Sequence, residues 1–95
     1  MTREEVLELI DEAIFYDGLD EAIIGVCDRI KLSVTAYDRE KCIEILANDF
    51  EINDEDLEEG ETIENAKYQM AIEHFEYNII GGWIGENTPV FITLT

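Results

Sequence analysis

With 95 residues, 46% of them hydrophobic, the chain is long enough for one domain with a modest core. Its 24 acidic and six basic residues leave a net charge of −18. That charge excludes direct binding to nucleic acid or to an anionic membrane, because both repel such a surface.

The opening residues show no basic start followed by an apolar run, so no signal peptide is expected. Apolar runs are only a few residues long, which is too short for a membrane span. Cys27 and Cys42 are expected as reduced thiols in the cytoplasm. With His74 they match no zinc spacing, so neither metal nor cofactor is expected.

In chain order, Thr2 with Glu5 reads as a capping box. Val6, Leu7, Ile10 and Ile14 then repeat at helical spacing, up to a stop near Tyr16, Asp17 and Gly18. The β-branched run 22–27 reads as a central strand, apolar on both faces. A turn over 28–31 follows, and Leu32, Val34 and Ala36 alternate with Ser33, Thr35 and Tyr37 as a half-buried second strand of a hairpin. Asp38 caps a second helix whose apolar face is Ile43, Leu46, Ala47 and Phe50, with Cys42 packed beside it.

Nine of the sixteen residues from 49 to 64 are acidic and none is basic, which reads as a loop broken by Gly60. Thr62 caps a third helix that buries Tyr68, Ala71, Ile72, Phe75 and Ile79. His74 beside that stripe reads as a partly buried, hydrogen-bonded histidine. Residues 79–84 and 90–94 read as a second hairpin around a turn at 85–89. The expectation is a single α+β domain over residues 1–95, of order α-β-β-α-α-β-β. Its two hairpins would form one four-stranded antiparallel sheet with helices packed on one face.

Three candidate sites follow. Gly81, Gly82 and Gly85 around Trp83 are not a phosphate loop, because a helix leads into them instead of out of them. They read as a helix end or bulge and a turn. Trp83 reads first as core volume and second as an exposed anchor. Asp54, Asp56 and Glu58 fit the first positions of a calcium loop, but Glu59 stands where glycine is needed and Asn65 where a bidentate glutamate is needed, so an EF-hand is excluded. The dense carboxylates can instead mimic a polyanion, with Asp54, Asp56, Glu58, Glu59 and Glu61 as contacts to a basic protein surface. No nucleophile signature surrounds either cysteine, and paired carboxylates carry no specificity in so acidic a chain. A non-enzyme is expected.

YDGLDEAIIGVC (16–27), AYDREKCIEIL (36–46) and FEYNIIGGWIGENTPVFI (75–92), in that order, resemble a group of small acidic proteins of unknown function encoded by tailed bacteriophages. The resemblance spans most of the chain and transfers no functional residue. It implies an accessory protein acting in the cytoplasm of the host cell. The leading expectation is a non-catalytic protein that inhibits or redirects a host protein, such as a nucleic-acid-binding defence or transcription factor, through its acidic surface. The alternative is a homo-oligomeric binder, or sponge, of a nucleotide-like molecule used in host antiviral signalling. Trp83, Tyr77 and Gly82 would then line the site, with Arg29 and Lys31 meeting the anion.

Overall fold

A computed structural model gives the fold and describes residues 1–53, 55 and 57–94. The chain divides into two compact units, Met1–Cys42 with Trp83–Thr95, and Ile43–Gly82.

In the first unit, helix α1 (Arg3–Leu9) starts on the predicted capping box. Thr2 accepts from the Glu5 amide at 3.2 Å, and the Glu5 carboxylate accepts from the Thr2 amide at 3.1 Å. The helix ends at Leu9, and Ile10 is already extended, so the expected run through Ile14 does not form. The last turn carries no basic residue, and Glu8, Asp11 and Glu12 crowd the negative end of the helix dipole, which disfavours further turns. Arg3 holds the segment that follows. Its guanidinium donates to Asp20 at 2.7 Å and Asp17 at 3.3 Å, and it lies 5.0 Å over the Phe15 ring.

A short 3₁₀ turn, Asp20–Ala22, leads into strand β1 (Ile23–Arg29), which pairs antiparallel with β2 (Leu32–Asp38). The predicted first hairpin is therefore present, but the strands exchange roles. The sheet order is β1-β2-β3, so β1 is an edge and β2 the centre. Val34, Thr35, Ala36 and Tyr37 are all buried, which corrects the half-buried reading of this strand. Alternation misled because Tyr37 is apolar over its ring and places its hydroxyl on a partner: the Tyr16 amide donates to it at 2.9 Å.

The third strand, β3 (Val90–Ile92), runs parallel to β2, with Ala36 opposite Val90, Tyr37 opposite Phe91 and Asp38 opposite Ile92. The Tyr37 and Phe91 rings stack at 5.6 Å, and Tyr16 tilts against both at 5.9 and 5.8 Å. The fold is α+β with a mixed three-stranded sheet. The four-stranded antiparallel sheet and its second hairpin are overturned.

Helix α2 (Arg39–Asp49) begins as expected, with the Lys41 amide donating to the Asp38 carboxylate at 3.3 Å. Cys42, in its first turn, is fully buried. Burial first, then the neighbouring Asp38 charge, pushes its thiol up to about 12.

In the second unit, α3 (Ile63–His74) is capped by Thr62, which accepts from the Asn65 amide at 3.1 Å. Ala66, Ala71, Phe75 and Ile79 are buried, whereas Tyr68, expected inside, is exposed. The helix does not stop where a strand was expected. It widens into a π-helical turn, Phe75–Ile80, closed by the Gly81 amide donating to the Glu76 carbonyl at 3.2 Å. A Cβ at position 81 would stand 2.9 Å from the Tyr77 carbonyl oxygen, so this closure requires glycine. By keeping Ile79 on the buried stripe, the π turn takes the first two residues of the expected strand 79–84, and no strand forms there.

Two outcomes follow. Tyr37→Phe leaves the Tyr16 amide without its acceptor and lowers stability by about 1–3 kcal/mol in urea unfolding, with the sheet retained. Because the folded Cys42 thiol titrates above its ordinary value, its contribution to stability is complete below about pH 9 and is lost as the pH rises towards about 12. Cys42→Ala therefore flattens the loss of stability just above pH 9, and in native protein at neutral pH a thiol reagent modifies Cys27 well before Cys42.

Candidate functional site

The first candidate is the tip of the β1–β2 hairpin. Arg29 pairs with Leu32, leaving Ile30 and Lys31 as a two-residue turn. Lys31 takes φ +70°, the left-handed region that usually selects glycine or asparagine at such a turn. Behind the turn, the Ser33 hydroxyl donates to the Asp28 carboxylate at 2.6 Å across paired strand positions. Ile30 is 92% exposed.

A second segment of the same unit reaches this tip. After Trp83 the chain turns at Gly85, whose φ of +106° a side chain would strain. Thr88 closes the turn: its amide and hydroxyl both donate to the Gly85 carbonyl, at 3.2 and 2.6 Å. Its hydroxyl oxygen also accepts from the Ile84 amide at 2.9 Å. Trp83 precedes this clip and is 71% exposed, so the core reading of the tryptophan is overturned. Trp83, Arg29, Lys31, Ile30, Leu32 and Glu86 line one open depression of about 410 Å³.

Three of the five residues expected at a ligand site, Trp83, Arg29 and Lys31, therefore come together. Tyr77, on the π turn, is 87% exposed, and it and Gly82 belong to the second unit. Sequence reading missed Ile30, Leu32 and Glu86. The signal for Ile30 was a lone isoleucine between arginine and lysine in a turn, where an apolar side chain has nothing of its own to pack on.

No protein-family model, curated protein or solved structure matches this chain.

The second candidate is the carboxylate surface. Asp54 and Asp56 lie outside the described residues. Glu58 and Glu59 are exposed and Glu61 is half-buried. Among the described residues, every carboxylate except Asp38 and Glu61 is exposed. In the second unit, Glu61 joins Glu51 and Glu73 around a hollow of about 340 Å³ whose apolar lining includes Ile52, Ala66 and Met70. Glu51 belongs to the acidic stretch 49–64 and Glu73 to α3, and nothing in their local sequence sets them apart from the other acids. Among the described residues, no group of three or more His, Cys, Asp or Glu side chains is placed to hold a metal ion.

His74 is hydrogen-bonded as expected, but it is not partly buried. It is exposed, with Nδ1 3.2 Å from Asn78 Nδ2 and its ring edge-on to Phe50 at 6.0 Å. No helix among the described residues is long and apolar enough to cross a membrane.

Trp83 is the only tryptophan, so its fluorescence reports this site alone. In highly dilute native protein, its emission matches that of tryptophan in water, and acrylamide quenches it almost as in the unfolded chain. A blue-shifted, protected emission under those conditions would mean that Trp83 is interior.

Proposed function

We propose that the protein is a non-catalytic binding protein that engages a basic protein surface through its carboxylates, acting as a polyanion mimic. The observation that carries this reading is the hollow rimmed by Glu51, Glu61 and Glu73 over an apolar lining. It suits the two-part chemistry of a lysine or arginine side chain. The methylene stem lies on Ile52 and Met70, while the charged head meets carboxylates. The surrounding exposed acids, Glu58 and Glu59 among them, add the long-range attraction that steers a basic partner.

The resemblance to small acidic phage proteins supplies the context. The partner is a host nucleic-acid-binding protein of defence or transcription, inhibited or redirected by occupation of the groove it reserves for phosphates. A nucleotide-like ligand would instead use Trp83, Arg29 and Lys31. A depression bordered by an isoleucine 92% exposed encloses little of a small molecule, so the carboxylate surface is the better supported reading.

The test is capture of partners from host lysate, with and without competing duplex DNA, followed by affinity measurement on the purified partner. The expected partner is a basic nucleic-acid-binding protein displaced by DNA and released by high salt. Reversal of Glu51, Glu61 and Glu73 to lysine lowers its affinity at least about tenfold, or about 1.4 kcal/mol. Reversal of Glu4 and Glu8 on α1 costs less. A partner that DNA does not displace, or that binds the triple reversal unchanged, contradicts the reading.

A further inference from the structure

The hairpin tip carries a feature that the carboxylate reading does not use. In a chain with 24 acids and six basic residues, two of the cations flank one apolar turn residue at the tip, and Trp83 comes to the same place. Arg3 is engaged with Asp17 and Asp20, and Arg39 with Glu40. Arg29 and Lys31 make no ion pair among the described residues. Ile30 at 92% and Trp83 at 71% expose large apolar groups side by side, and Ile84 follows at 50%. Lys31 also keeps a left-handed backbone conformation in which glycine would be relaxed. A strained side chain at an exposed apolar tip points to a contact made there.

We infer that this tip is a self-association surface and that its occupant is the same tip of a second copy of the chain. Charge complementarity selects this occupant. The depression is lined by two cations, Arg29 and Lys31, and by one carboxylate, Glu86. A two-fold axis through it sets the cations of one copy against Glu86 of the other, and Ile30 and Trp83 against their own counterparts. A patch that carries its own counter-charge is complementary to itself, as an isologous interface must be. Two chains of charge −18 repel over the rest of their surfaces, and the tip, where Arg29 and Lys31 offset the neighbouring acids Asp11, Glu12, Asp28 and Glu86, is where they approach at least cost. The exposed apolar tip amounts to roughly a few hundred Å² per copy, the size of a weak, reversible interface, so association is expected in the micromolar range and above.

This inference does not depend on the carboxylate reading, because its test uses the purified protein alone. Sedimentation velocity over a concentration series, at about physiological ionic strength, is expected to show a monomer–dimer equilibrium, with Trp83 emission shifting to the blue as dimer forms. Ile30→Asp, a change at a fully solvated position, and Trp83→Ala each raise the dissociation constant more than about tenfold. Arg29→Glu and Glu86→Arg each weaken self-association, and mixing the two restores a heterodimer. Lys31→Gly separates stability from association: it raises the unfolding midpoint by relaxing the turn while weakening the dimer. A chain that stays monomeric across the series, or a dimer that none of these substitutions weakens, overturns the proposal.

Discussion

Tyr37 is the residue on which the first unit depends. It is fully buried on the central strand, with a ring that needs apolar cover and a hydroxyl that needs a partner. Both requirements are met from distant sequence. The Tyr16 amide donates to the hydroxyl, and the rings of Tyr16 and Phe91 cover the side chain. The pairing that stacks Phe91 on Tyr37 is also the register in which β3 joins β2. One side chain thus ties the segment after α1, the open end of the hairpin and the returning C-terminal strand together. Arg3 adds a second tie at the surface through Asp17 and Asp20, where partial exposure screens its ion pairs and leaves geometry as their main contribution.

Charge sets the second constraint. A chain of net charge −18 keeps its self-repulsion tolerable by facing its acids to water, and the described carboxylates follow that rule with the exceptions of Asp38 and Glu61. Asp38 caps α2, where the free amides and the helix dipole favour an anion. Glu61 sits in the hollow with Glu51 and Glu73. The scarce cations acquire meaning by contrast. Arg3 braces structure, whereas Arg29 and Lys31 stand beside exposed apolar groups at the hairpin tip.

On the proposed readings, the carboxylate hollow takes a cationic partner and the hairpin tip takes a second copy of the chain. Their legibility in sequence differed. The acidity of residues 49–64 is visible by counting, but which acids share a hollow depends on where Ile52, Ala66 and Met70 are placed. At the tip, the two-residue turn is a short-range property, whereas the arrival of Trp83 beside it follows from the path of the whole chain. The glycines around Trp83 were legible as punctuation. Gly85 does turn the chain, but Gly81 closes a π-helical turn, because burial of Phe75 and Ile79 on one stripe extends the helix past the point where local composition favours a strand.

What the sequence by itself determined are features whose energy lies within a few residues: the capping box of Thr2 and Glu5, the caps at Asp38 and Thr62, the first hairpin, and the outward acidity. In each, donor, acceptor or charge is close along the chain, so residue type and spacing suffice. What only the tertiary structure decided is which strand is central, that β3 joins β2 in parallel, that Tyr37 is buried, and that Trp83 is left in solvent beside Arg29 and Lys31. These depend on which distant segments compete for the same apolar surface. An isoleucine-rich run has the same local preferences whether it ends a helix or forms a strand, and the packing of Phe75 and Ile79 decides between them.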